Sequence, residues 1–190
     1  MPHEIEAKLK VPSHEPVRRR LREVGAERLG AAVETNVILD RGDGSLRKQG
    51  CGLRVRSARS VDGPGTVATL TFKGPRQPGA LKIREEIEVE VADGERLLNL
   101  MKALGLVEVL WYQKRRESWR MSGCRVELDE PPHLGLFVEI EGPSESAVFA
   151  ARAELGLEHT ELVHASYVSM LVSYCEREGI SDRRLRLPGP

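Results

Sequence analysis

Residues 3–11, HEIEAKLKV, set Glu4, Glu6, Lys8 and Lys10 against Ile5, Ala7, Leu9 and Val11 in strict alternation. A period of two belongs to an extended strand, whose successive side chains leave opposite faces. Glu4 and Lys8 also have the i,i+4 spacing of a helical ion pair. The apolar alternation runs through the whole segment, however, and Pro12 closes it, so the pattern predicts a strand.

The same reading continues along the chain. A helix is predicted over 14–24, with Ser13 as N-cap, Pro16 in its first turn and Gly25 as its stop; Val17, Leu21 and Val24 form its apolar stripe. Residues 26–40 read as a strand that runs into the turn RGDGS. Further strands are predicted over 51–59, 66–74 and 81–91, separated by Gly63-Pro64-Gly65 and the Pro75–Gly79 region. Asp93 caps a helix that Gly105 ends, and strands follow over 106–120, 124–130 and 134–142. Ser144 caps a helix through Leu155, and a last helix runs from His164 to Glu178. No repeat or linker demands a second domain, so residues 1–178 read as one unit; the tail 179–190 has no apolar period and is expected to be loose.

Strand parity then sorts the charges. Glu4, Glu6 and Lys8 share a face, as do Arg54 and Arg56, Thr71 and Lys73, Arg84, Glu86 and Glu88, Lys114 and Arg116, Glu127 and Asp129, and Glu139 and Glu141. Between them stand Ile5, Val55, Phe72, Ile87, Val126, Leu128 and Ile140. Two architectures satisfy this pattern. An open antiparallel sheet could turn its charges to water and pack helices on its greasy side. Alternatively, the sheet could curl into a barrel with the charges inside, where desolvation demands ion pairing and a charged guest. Paired acids suit a divalent cation, and paired arginines suit phosphate oxygens.

Composition narrows the classes. The chain has 190 residues, with 29 Lys plus Arg against 29 Asp plus Glu, so net charge gives no reason to expect nucleic acid or a membrane surface as partner. No apolar run approaches the roughly 20 residues that span a bilayer, and no signal-peptide stretch is evident. Cys51, Cys124 and Cys175 form no C-x-x-C pair, which argues against a zinc or disulfide framework and fits a cytoplasmic protein. Trp111, Tyr112 and Trp119 read as packing residues before they read as a stacking platform. His3 beside the acids could join a metal, whereas His14, His133, His159 and His164 show no ligand spacing. There is no Walker loop.

The segment EIEAK resembles the E-x-E-x-K signature of the CYTH family, the class IV adenylyl cyclases and thiamine triphosphatases also called triphosphate tunnel metalloenzymes. Supporting segments follow in family order: LRVR (53–56), LTFKGP (70–75), REEIE (84–88), QKRRE (113–117) and VELDEPPHLGLFVEIEG (126–142). The resemblance is nearest to the small prokaryotic members named after the cyclase, and it covers about residues 3–175. It implies an α+β fold, a closed antiparallel β-barrel of about eight strands with helices packed outside and a charged tunnel within.

It also implies Mg²⁺ or Mn²⁺ held by Glu4, Glu6, Glu139 and Glu141, with Glu86, Glu88 and Asp129 as further candidates. Lys8, Arg54, Arg56, Lys73, Arg84, Lys114 and Arg116 become the phosphate cradle, and Lys8, Glu6 and Glu139 the catalytic candidates. Two departures concern an organic group: Ile38-Leu39-Asp40 stands where many members have an aromatic pair before Asp, and residues 164–178 carry no lysine. The implied activity is metal-dependent hydrolysis of inorganic tripolyphosphate or a small organic triphosphate such as thiamine triphosphate. The alternatives are cyclisation of ATP to cyclic AMP and pyrophosphate, or a non-catalytic polyphosphate sensor. The expected partner is a small-molecule triphosphate, not nucleic acid or membrane, with the protein a monomer or homodimer.

Overall fold

A computed structural model describes residues 3–188. In chain order its elements are β1 (His3–Val11), α1 (Glu15–Glu23), β2 (Glu27–Arg41), α2 (Ser45–Lys48), β3 (Gly52–Ser60), β4 (Thr66–Lys73), β5 (Lys82–Val91), α3 (Gly94–Ala103), β6 (Leu106–Met121), β7 (Cys124–Glu130), β8 (Leu136–Glu141), α4 (Glu145–Glu154), α5 (Tyr167–Glu178) and β9 (Arg184–Leu185). Strands β1 to β8 pair in the order β2-β3-β4-β5-β1-β8-β7-β6, and a β2–β6 ladder joins the two ends. That ladder runs antiparallel from Glu27↔Arg120 to Arg41↔Leu106. The sheet is therefore a closed eight-stranded antiparallel barrel, and of the two architectures that parity allowed, the second is the one formed.

Closure turns the usual layering inside out. The charged faces line the lumen, and the apolar faces form the core between barrel and helices. Ala7, Leu9 and Val11 of β1 join Val126, Leu128, Val138 and Ile140 beneath Val17 and Leu21 of α1 and Val148 and Ala151 of α4. Val37, Leu39 and Val55 pack under Leu97, Leu98 and Met101 of α3. A third cluster has a different position. Ile38, Leu110, Tyr112 and Phe137 share the parity of lumen residues, yet they pack against Tyr167, Leu171 and Cys175 of α5. Helix α5 thus lies across one end of the barrel.

Local chemistry sets the ends of the elements. Asp93 accepts from the N–H groups of Glu95 and Arg96 at 3.0 Å, and Ser144 accepts from Ala147 at 3.1 Å, both N-caps as predicted. Ser166, not His164, caps α5, accepting from the Ser169 N–H at 3.1 Å, and Gly179 closes it with φ 68°. At α1 the cap position falls on His14, one residue after the predicted Ser13, whose hydroxyl accepts from the Glu15 N–H instead. Gly142, between β8 and α4, has to be glycine, because a Cβ there would stand 2.8 Å from the Cys124 sulfur.

The tail departs from expectation. Arg184–Leu185 forms a parallel bridge to Trp111 and Tyr112 of β6, and Leu185 is buried in the α5 cluster. Leu185 anchors the tail together with the Arg184–Glu108 ion pair at 3.1 Å and the stacking of Arg184 and Arg186 on Trp111, none of which shows as an apolar period. Residues 189–190 lie outside the described part.

Candidate active site

A cavity of about 1700 Å³ occupies the barrel and extends past α5 towards the β2–β3 loop. All the site residues expected from the sequence line it except Asp129. Asp129 is on the inner face of β7, fully buried beneath the cations it holds: Oδ1 accepts from Arg116 Nε at 2.7 Å and Oδ2 accepts from Lys114 at 2.9 Å and from Arg116 at 2.6 Å. With both oxygens engaged, it orients two lumen cations and is covered by them, so it does not line the open cavity.

One wall is built by the inner ends of β1, β6, β7 and β8. Lys8 lies opposite Glu139 in register and contacts it at 3.0 Å, while Arg116 donates to the other Glu139 oxygen at 2.7 Å. Burial opposes the Glu139 charge, but Lys8, Arg116 and Lys114 outweigh it and hold that carboxyl well below the ordinary carboxylate range. The Lys8 ammonium in turn is held above its ordinary range, since Glu139 and Glu6 overcome the burial that opposes it. Its Nζ also sits 3.8 Å from the centre of the Tyr167 ring, a cation–π contact made by α5.

Lys82 behaves differently. It donates to Glu6 at 3.0 Å, yet burial, with the neighbouring Lys8 charge adding to it, lowers its pKa to about 8. Of these two lysines it is the one that can lose its proton near neutral pH.

Across the lumen, β3, β4 and β5 present Arg54, Arg56, Thr71, Lys73, Glu86 and Glu88. Arg56 donates to both Glu88 oxygens at 3.2 Å, and Glu88 also accepts from Thr71 at 2.7 Å. Arg54 makes one long bond to Thr71, at 3.3 Å, and its buried Nε has no partner among the described residues. Neighbouring Thr69 and Asn36 likewise bury an oxygen without a partner. Buried polar groups without partners are uncommon, and each calls for an explanation such as a water, an ion or a ligand. Arg84 is not paired with Glu88. Its guanidinium donates to the carbonyls of Gly74 and Gly50, tying together the loops at the mouth.

The acids at the junction of these walls are separated by a cation. Lys73 reaches Glu4 at 2.7 and 2.8 Å and Glu86 at 2.7 Å. Glu141 has no such partner among the described residues: although its side chain reaches solvent, partial desolvation by the surrounding barrel and the charges of Glu4 and Glu86 raise its pKa to about 7. Among the described residues, no three carboxylates, imidazoles or thiols converge as a ready-made metal site. The donor chemistry nonetheless suits a hard divalent ion, since the three acids at this junction offer only carboxylate oxygens and two of them already hold an ammonium. The His3 side chain lies outside what is described.

Four lumen residues escaped the sequence reading or were left undecided there. Glu34 is buried against Lys114, Arg56 and Arg116 at 3.4 to 3.7 Å. Lys82 shares the parity of Arg84, which was a usable signal. Glu127 has the right parity, and accepts from Ser118 at 2.5 Å and Arg125 at 2.6 Å. Tyr167 is brought in by α5 alone and had no signal in the strand pattern.

This arrangement, a closed lumen with cations facing carboxylates, agrees with a match of residues 2–167 to the model of the CYTH domain. The chain belongs to the CYTH family. MJ0240 of Methanocaldococcus jannaschii, provisionally named an adenylate cyclase, is 31% identical over 138 residues, 73% of this chain and 75% of that protein. Among solved structures, PH1819 from Pyrococcus horikoshii superposes with a TM-score of 0.77 at 28% identity, over 90% of this chain and 99% of that one. The fold is shared by HpAC1 from Hippeastrum, named as a cyclase and described as having dominant triphosphatase activity, with a TM-score of 0.71 at 20% identity over 90% and 96% of the chains. CYTH enzymes include triphosphatases and adenylyl cyclases and are generally dependent on divalent metal. Among the described residues of this CYTH domain, no helix is long and apolar enough to cross a membrane.

Proposed function

We propose that this CYTH domain hydrolyses a triphosphate, either inorganic tripolyphosphate or a small organic triphosphate, with Mg²⁺ or Mn²⁺. The observation that carries this reading is the Arg54 guanidinium, which lines the lumen beside Arg56 with its buried Nε unpartnered among the described residues. Arg54, Arg56, Lys8 and Arg116 grip phosphate oxygens from opposite walls, and Asp129 and Glu34 hold the cations in position. Glu4, Glu86 and Glu141 are the oxygen donors for the ion, and Glu6 and Glu139 reach it only by giving up their lysine partners. When bound, the ion supplies neutralisation and polarisation of the phosphoryl group. Lys82, neutral above about pH 8, accepts the proton of the attacking water, while the permanently charged Lys8 stabilises the phosphoryl oxygens.

Cyclisation of ATP is the second reading, favoured by the name of the Methanocaldococcus relative. Against it stands the state of the aromatic rings. Tyr167 lies under Lys8, Tyr112 is packed against α5, Trp119 is in the core, and Trp111 is covered by Arg184 and Arg186. None of these rings is free to stack a purine. The test offers tripolyphosphate, thiamine triphosphate and ATP to the protein with Mg²⁺ or Mn²⁺. Orthophosphate release is expected; cyclic AMP and pyrophosphate as the main products would reverse the order. Hydrolysis should rise with pH to a plateau above about 8, and Lys82→Gln should remove that limb. An unchanged profile in the variant would remove Lys82 from this role.

A further inference from the structure

The junction of β1, β5 and β8 holds a cation of the protein's own. Lys73, from β4, spans to Glu4 of β1 and Glu86 of β5, making three contacts between 2.7 and 2.8 Å. These are the carboxylates that the metal reading needs, and Glu141, on the strand that follows β1 round the barrel, stands beside them. We propose that Lys73 is a stand-in cation: its ammonium neutralises Glu4 and Glu86 until a divalent ion displaces it, and the displaced ammonium then turns to the triphosphate. This deepens the function proposed above and rests on its metal assignment.

Two kinds of cation compete for these carboxylates. A bare pair of carboxylates in a partly enclosed lumen would repel each other, and an ammonium on a four-carbon stem is the simplest remedy. The same ammonium blocks a divalent ion, which cannot share those oxygens with it at contact distance. Expelling it without a new anion would strand a positive charge beside Arg54 in the partly desolvated lumen. A triphosphate supplies that anion. Metal and triphosphate therefore help each other to bind, and the coupling is reciprocal by linkage. The side chain can make the exchange: Lys73 is the last residue of β4, followed at once by Gly74, and is about one quarter exposed. Arg84 fixes the Gly74 carbonyl, so the backbone stays while the side chain swings.

The test reads metal binding directly. Mn²⁺ is titrated by electron paramagnetic resonance into wild type, Lys73→Met and Lys73→Arg, with no triphosphate present. Lys73→Met is expected to bind Mn²⁺ more tightly than wild type by about tenfold, a usual size for coupling between sites. Lys73→Arg should bind it as weakly as wild type. With the metal chelated, Lys73→Met should bind tripolyphosphate more weakly than wild type. Mn²⁺ affinity equal to or below that of wild type in Lys73→Met, including no binding at all, overturns the proposal. Should Lys73→Met fail to fold, Lys73→Gln carries the same comparison. The outcome is separable from the activity reading, because a wild type that hydrolyses no triphosphate refutes that reading whatever the Mn²⁺ titration shows.

Discussion

Burial decides how much each charged residue of the tunnel is worth. Asp129 has both oxygens committed to Lys114 and Arg116 and no access to water. Asp129→Asn should therefore cost about 3–5 kcal/mol in urea unfolding, the size expected when one member of a buried ion cluster is removed. Glu88, more than a third exposed, should lose less than about 1 kcal/mol on change to Gln. Equal losses would contradict the two-tier wall. Glu141 makes a pH prediction. Its folded pKa of about 7 exceeds the ordinary 4.5, so the folded state binds more protons between those values. Its contribution is complete below about pH 4.5 and is lost as pH rises to about 7. Without metal, the melting temperature of Glu141→Gln relative to wild type should thus rise across that window and level off above it. Added Mg²⁺ should shrink the difference by stabilising the wild type. A pH-independent difference would place Glu141 outside the acidic junction.

At the scale of elements, α5 both seals the barrel and supplies the ring beneath Lys8. Leu171 is fully buried in that contact, so Leu171→Ala should cost about 2–5 kcal/mol of stability. It should also lower hydrolysis beyond what partial unfolding explains, because Tyr167 shifts with the helix. Full activity in the folded fraction would confine α5 to a structural role. Much of the strand framework was legible in the sequence, since β1, β5, β7 and β8 alternate charge with apolar residues regularly enough for parity to separate the two faces; that the charged face lines a lumen was implied by the family resemblance. β2 was harder. Its segment AAVETNVILD carries only Glu34 and, at its end, Asp40, and shows no charge alternation, so a buried carboxylate at Glu34 looked like an isolated surface residue. The ligand set was legible as residue types but not as partners. That Arg84 clamps two loops while Glu88 takes Arg56 depends on register between strands far apart in sequence. The α5 contact was hidden for a similar reason: a helix that plugs a barrel carries an ordinary amphipathic pattern.

The whole molecule is a barrel with its ions inside and its core outside. Lumen cations such as Arg54 and Arg56, each about one fifth exposed, are partly screened by salt, with a Debye length near 8 Å at physiological ionic strength. Tripolyphosphate affinity should therefore weaken steadily as KCl is raised from about 50 to 500 mM, through electrostatic screening, while stability changes little. Affinity indifferent to salt would argue against the cradle. The strand order has one more consequence. β1 sits between β5 and β8, so one of its neighbours is complete only after Glu141 has been made. On the ribosome this ribbon waits through more than a hundred residues of elongation with one edge unpaired. Its lysines and glutamates also discourage adhesion to other nascent chains during that delay.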